Sequence, residues 1–239
     1  MAPREEPSLS LVAYRGAMHI VIAGGHGKIA LLLSRLLADA GHRPTGLIRN
    51  PEHAADLRSA GAEPVVLDLE KSTREEIASA LTGADAVVFA AGAGPDSGPE
   101  RKLTVDRDGA ILLAEASVAA GVARCVIVSS IGADEYDPSS TDGMQIYLKA
   151  KGEADAAVRA LDLHWTIVRP GGLTNDAPTG LVTVAERSDR SSISRADVAA
   201  VIAAVLETVQ TIGTQFEVVG GRTPIPEALG NLSRPVRAE

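Results

Sequence analysis

The sequence predicts an α/β domain, a doubly wound parallel sheet with helices on both faces, and three observations carry that prediction. Short apolar runs rich in β-branched residues alternate, over most of the chain, with runs whose apolar residues recur at helical spacing. The joints between them carry glycine or a polar residue suited to cap a helix. The first joint is a glycine cluster, Gly24-Gly25-His26-Gly27, set between such a strand and such a helix. Parallel neighbours need a crossover, so strand–helix alternation calls for a parallel sheet covered on both sides. The chain of 239 residues has neither repeat nor linker, and suits a single domain with a small C-terminal cap.

Residues 1–17 hold Pro, Glu and Ser without the apolar core of a signal peptide, and read as a poorly ordered extension. His19–Ala23 is the first strand. Residues 29–40 form an amphipathic helix stopped by Gly41, and 45–48 the second strand. A helix over 52–60 ends at Gly61, and the third strand, 64–67, runs into Asp68-Leu69-Glu70. Ser72 or Thr73 caps a helix over 73–81, with Glu75 and Glu76 in its first turn. The fourth strand, 85–90, opens into the loop 93–99, and a helix over 101–120 leads to the fifth strand, Arg124–Val128. Residues 131–143 make a polar loop longer than a plain connection needs. A helix over 144–161 and a sixth strand over 164–168 follow. Leu181–Ala185 reads as a short strand, 195–208 as a helix capped by Ser194, 215–219 as a strand and 226–232 as a last helix. Residues 173–190 and 222–232 would form the cap, and 233–239 a tail.

Net charge is −8, and there are only three Tyr, two Phe and one Trp. That argues against a nucleic-acid platform, which needs clustered cations and stacking aromatics. The single cysteine, Cys125, excludes an intrachain disulfide, fits a cytoplasmic setting, and reads as a small buried strand residue. No apolar stretch is long enough to span a bilayer. The five histidines lack metal-ligand spacing, so no metal is expected.

Ligands of open α/β sheets sit outside the carboxyl ends of the strands. Those ends are Gly24–Gly27, Arg49, Asp68, Ala91-Gly92, Ser129-Ser130 and Arg169-Pro170-Gly171-Gly172, small or polar throughout. A glycine turn opening a helix lets a pyrophosphate reach unpaired N–H groups with no Cβ in the way, so the strand–turn–helix–strand setting points to a dinucleotide. The second strand ends in Arg49, with no acid over 45–50. A guanidinium fork matches a 2′-phosphate that a carboxylate would repel, which favours NADP(H) over NAD(H), and Lys28 could assist. Tyr147 and Lys151 share one face of a helix. An ammonium beside a phenol favours the phenolate, the form that exchanges a proton with a carbonyl or alcohol. A hydroxyl from Ser129-Ser130 could hydrogen-bond the substrate oxygen nearby.

GGHGKIA, FAAG, VSS, YLKAK and VRPGGLTND, in this order, resemble the atypical short-chain dehydrogenase/reductases. The nearest groups are the NmrA-like and biliverdin-reductase-B-like NADP-binding proteins, which include small bacterial members loosely called sugar epimerases. The resemblance covers residues 18–229. It implies that Gly24, Gly27 and Ala30 form the GxxGxxG turn, with Gly25, His26, Lys28 and Ile29 beside the cofactor. It places Asp68 and Leu69 at the adenine, Ala90, Ala91 and Gly92 at the ribose, and Pro170, Gly171 and Gly172 near the nicotinamide. Ser130, in preference to Ser129, matches the catalytic serine, and Tyr147 and Lys151 the YxxxK pair, which also touches cofactor. The implied activity is NADP(H)-dependent oxidoreduction of a small carbonyl, quinone or flavin-like substrate. Alternatives are a nucleotide-sugar epimerase or dehydratase and a non-catalytic NADP-binding redox sensor. The loop 131–143 and the cap depart from the family pattern and would choose the substrate. The expected partner is a small molecule, the expected state a monomer or homodimer.

Overall fold

In the computed structural model, residues 16–94 and 97–232 are described. The expected extension, apart from Gly16 and Ala17, and the tail 233–239 lie outside them. The strands in chain order are β1 (His19–Ala23), β2 (Arg43–Ile48), β3 (Glu63–Val66), β4 (Ala86–Phe89), β5 (Arg124–Val128) and β6 (His164–Pro170). β7 (Gly172–Thr174), β8 (Leu181–Ala185), β9 (Ser192–Ser194), β10 (Thr214–Gly220) and β11 (Thr223–Pro224) follow. The helices are α1 (Lys28–Asp39), α2 (Ala54–Ser59), α3 (Arg74–Ala80), α4 (Pro99–Arg101), α5 (Gly109–Ala120), α6 (Gly143–Arg159), α7 (Arg195–Glu207) and α8 (Ile225–Gly230).

The main sheet runs in the order β11-β8-β10-β6-β5-β4-β1-β2-β3. From β3 to β10 every neighbouring pair is parallel, with Val21 of β1 opposite Thr45 of β2 and Val87 of β4. The chain winds outward one way through β2 and β3 and the other way through β4 to β6. Its reversal between β1 and β4 opens a crevice at the carboxyl ends, where such folds hold ligands.

Alternation along the strands divides the core into two layers. Ile20 and Ile22 pack with Leu33 and Leu37 of α1 and Val201 and Val205 of α7. Val21 and Ala23 face the other way, onto Ile77 of α3, Leu113 of α5 and Val158 of α6. Each large aliphatic chain buried in these layers contributes roughly 1.5–3 kcal/mol. Local chemistry sets the ends. Thr73, not Ser72, caps α3, its Oγ1 accepting from Glu76 N–H (3.2 Å) while Glu76 Oε2 accepts from Thr73 N–H (2.8 Å).

The structure revises three expectations. The helix anticipated over 101–120 begins earlier, in α4, and runs through a π-helical stretch, Lys102–Asp108, before α5. The helix over 52–60 opens as a 3₁₀ turn, Pro51–His53, because Pro51 suits a first turn and Asn50 accepts from Glu52 N–H (3.1 Å). The segments expected as a cap instead extend the sheet antiparallel through β8 and β11, while β7 and β9 pair as a separate two-stranded sheet. Among the described residues no helix is long and apolar enough to cross a membrane.

Candidate functional site

The glycine turn is pressed between the ends of β2 and β4. Gly24 has φ +79°, and a Cβ there would stand 2.6 Å from Ala91 Cα; a Cβ on Gly25 would stand 2.7 Å from Gly46 Cα. Only glycine fits at either place. α1 starts beyond it with Gly27 as N-cap, no capping side chain and no acid in its first turn. Its leading N–H groups and positive dipole end therefore suit a phosphate.

A cleft of about 340 Å³ opens over this turn. Its walls are Gly24, His26 and Gly27 from the turn, 47–49 from β2 and its end, 67–70 beyond β3, and Ala90, Ala91 and Gly92 beyond β4. His53, Arg101 and Val105 complete it. The structure thus brings together nine expected cofactor residues: Gly24, His26, Gly27, Arg49, Asp68, Leu69, Ala90, Ala91 and Gly92. Gly25 is buried beneath the turn, bonded through its N–H to the Leu47 carbonyl (2.9 Å). Lys28 is exposed at the start of α1 and Ile29 packs toward the core, so neither lines this cleft.

Two further charges meet at the cleft. Glu70 accepts from Arg101 (Nη2, 2.7 Å) and Thr104 (Oγ1, 2.8 Å) and lies 3.6 Å from Arg49 Nη1. The bond from Arg101 holds the Glu70 carboxyl below the usual carboxylate range. Arg49, expected to face a 2′-phosphate, is therefore already paired to an acid. Glu70 was visible beside Asp68 in the sequence, but nothing local marked it as a neighbour of Arg49.

A second constellation lies at the ends of β4, β5 and β6, outside that cleft. Tyr147 and Lys151 sit one turn apart on α6, with Lys151 Nζ 5.9 Å from the centre of the Tyr147 ring and 5.2 Å from that of Phe89. Lys151 is 3% exposed. Its ammonium donates to the Val128 carbonyl (3.1 Å) and stands 3.2 Å from Asp106 Oδ1. Burial by itself would lower the Lys151 pKa, but the Tyr147 oxygen and the Asp106 carboxylate outweigh it and hold the ammonium above the ordinary lysine value. Asp106 Oδ2 accepts from Ala93 N–H (3.1 Å), tying Lys151 to the loop that leaves the cleft. The π-helical stretch carries Asp106, and such stretches often mark functional sites.

The two serines part company. Ser129 is buried, its Oγ donating to Asp155 Oδ2 (2.7 Å). Ser130 is half-buried, its Oγ donating, among the described residues, to the Ile131 carbonyl (3.2 Å). Below them Arg169, 3% exposed, donates from Nε (2.9 Å) and Nη2 (2.8 Å) to Asp155 and from Nη1 (2.5 Å) and Nη2 (2.8 Å) to Asp134. Desolvation pushes the Asp155 pKa up against the pull of Arg169 and Ser129. Asp134, within the polar loop 131–143, is held below the carboxylate range by the Arg169 bond. Pro170 ends β6 in a buried position, and Gly171 packs directly on the Ser191 carbonyl. Gly172 opens β7. Sequence reasoning missed Asp106 and Asp155. The available signal was spacing, since Asp155 falls four residues after Lys151, and Asp106 falls four and seven before the apolar positions Ala110 and Leu113.

A mostly parallel sheet with a glycine turn at its switch point is the arrangement in which α/β proteins hold a nucleotide cofactor. Residues 24–208 match the NAD(P)H-binding family, and the chain belongs to it. YhfK of Bacillus subtilis, named as an uncharacterised sugar epimerase, is 39% identical over 216 residues, covering 90% of this chain and all of its own. A Bacillus halodurans structure, described as that of an NAD-dependent epimerase/dehydratase, superposes with a TM-score of 0.84 at 39% identity, over 90% of this chain and 100% of its own. The oxidoreductase ylbE of Lactococcus lactis superposes with a TM-score of 0.80 at 29% identity, over 90% of this chain and 96% of its own.

Proposed function

We propose that the chain is an NADP(H)-dependent oxidoreductase acting on a small carbonyl, quinone or flavin-like substrate. The observation that carries this reading is the buried Lys151 ammonium, paired with Asp106 and set one helical turn from Tyr147. A protein that only binds a nucleotide gains nothing from burying a charged lysine there, and burial of such a pair is costly. The name of ylbE supports the same class.

The residues present fit the cofactor, because the cradle at Gly24 and Gly25 leaves no room for a Cβ and the α1 terminus lacks a capping side chain. Gly24, Gly27 and the first N–H groups of α1 would hold its pyrophosphate, Asp68 and Leu69 the adenine side, and Ala90–92 the ribose. Arg49 favours a 2′-phosphate, which would compete with Glu70 for the guanidinium. Bound there, the reduced nicotinamide supplies hydride. Tyr147 would donate the matching proton to the substrate oxygen, Lys151 would keep positive charge beside that phenol, and Ser130 would exchange its long bond to Ile131 for one to the same oxygen. Asp155, Arg169 and Asp134 brace β6 and the loop 131–143 beneath them.

The name carried by YhfK favours one second reading, an epimerase using the same three side chains. Against it, the described residues after β6 complete the sheet edge and a two-stranded sheet rather than a lobe for a nucleotide sugar. The test is loss of nicotinamide absorbance with NADPH or NADH against a panel of carbonyls, quinones and flavins. The reading expects at least one acceptor to be reduced, faster with NADPH. Tight NADPH binding with no acceptor reduced would leave the non-catalytic sensor in its place.

A further inference from the structure

The cleft holds a feature that the proposed chemistry does not use. His26, within the glycine turn, and His53, closing the 3₁₀ turn after β2, stack face to face with ring centres 3.6 Å apart and planes 12° apart. Both line the cleft beside Arg49. His26 Nε2 lies 2.8 Å from Asp56 Oδ2. The ring nitrogens of His53 make no hydrogen bond among the described residues, although the ring is half-buried in a polar wall. Two stacked neutral imidazoles, one of them beside a carboxylate, have room for one additional proton. A second would set like charges face to face.

We propose that the His26–His53 pair takes up a proton when a 2′-phosphate binds, so that the preference for NADPH over NADH strengthens as pH falls. The proposal rests on the reading that this cleft accepts NADP(H). Its physical basis is the position of the pair between the glycine turn and the end of β2, where the adenosine ribose of a dinucleotide is read. A 2′-phosphate there would meet Arg49 and the uncommitted nitrogens of His53. A dianion raises the pKa of a neighbouring imidazole, because it favours the imidazolium. The proton is bound only in the complex between the free and the bound pKa, so affinity falls as pH rises through that interval.

Charged groups surround the pair on several sides. Lys28 and Arg49 are fixed cations on the turn side. Glu52 and Asp56 are carboxylates on the helical side. Across the cleft stand Asp68 and the Glu70–Arg101 pair. Histidine is the side chain whose ordinary pKa lies nearest this region, so the range that matters runs from about pH 6.5 to about pH 8, above the phosphate's own second ionisation near pH 6. NADH carries only an uncharged 2′-hydroxyl at this position and should bind equally across the range.

The experiment is calorimetric titration of adenosine 2′,5′-bisphosphate and of 5′-AMP, each at both ends of that range, with wild type, His53→Gln and Arg49→Ala. The readout is binding, independent of any turnover. The proposal expects the bisphosphate to bind roughly three- to tenfold more weakly at the higher pH, the effect of a shift of up to one pKa unit. It also expects proton uptake on binding, seen by comparing buffers of different ionisation enthalpy. The 5′-AMP affinity should stay level, and His53→Gln should lose the pH slope while keeping its melting temperature. Equal slopes for the two nucleotides, or a slope that survives in His53→Gln, would overturn the proposal. A His53→Gln variant that weakens both nucleotides equally at each pH would make the stack an adenine platform instead, which also overturns it. The underlying NADP reading fails separately, through equal affinity for both nucleotides at every pH together with no effect of Arg49→Ala.

Discussion

Gly24 and Gly41 both have positive φ, +79° and +85°, yet only one stands at the site. A Cβ on Gly24 meets Ala91 backbone, whereas nothing lies within 4 Å of one on Gly41. Gly24→Ala should therefore weaken NADPH binding by at least about tenfold and destabilise by on the order of 1–3 kcal/mol. Gly41→Ala should cost about 1 kcal/mol and leave binding unchanged, and fluorescence titration with thermal melting separates the two. The lone thiol makes a different point. Cys125 is fully buried in β5, and desolvation pushes its pKa up to about 12. It should resist thiol reagents in the native protein and react only on unfolding, which makes its modification rate a direct measure of global opening.

At the scale of elements, α6 does the most. One face carries Tyr147, Lys151 and Asp155 at intervals of four, and Gly152 beside it lets the Ala133 carbonyl close against the helix. The Tyr147–Lys151 spacing was legible because a helix turns spacing into proximity. Asp106 was not, since its partner lies 45 positions further along the chain and a π-helical stretch sets its direction. The role of Asp134 was hidden for the same reason. Its neighbours Glu135 and Asp137 suggest a solvated loop, but its partner Arg169 arrives from β6. Asp106→Asn should cost on the order of 3 kcal/mol in denaturant unfolding, the penalty for leaving a buried ammonium without its carboxylate.

For the molecule as a whole, the parallel order and the glycine turn were legible because alternation and cluster are local. The strand at Leu181–Ala185 was legible as well, but its antiparallel pairing with β10 and β11 was not, since the partners of a short edge strand come from distant parts of the chain and β11 is only two residues long. The charge network gives the fold a pH signature. Bonding to Arg101 lowers Glu70 and bonding to Arg169 lowers Asp134. Asp197 is raised by its burial, but the N–H groups of Thr179 and Gly180 and the Ser194 hydroxyl bring it below the ordinary value. A carboxylate lowered in the native state stabilises above its unfolded pKa, near 4, and loses that contribution as pH falls through the native value. Asp155, raised by burial, works the opposite way. The melting temperature should hold steady from neutrality down to the carboxylate range and fall below it. Asp197→Asn should show a lower plateau and a shallower fall.

In the proposed reaction Tyr147 moves a proton while the glycine-turn cleft holds the cofactor. Its most direct test is Tyr147→Phe, with NADPH affinity and turnover of a reducible acceptor measured on the same preparation. The expected result is an affinity within about twofold of wild type and a turnover lowered by about 10²–10⁴, the usual worth of a positioned acid. Turnover equal to wild type in that variant would contradict it.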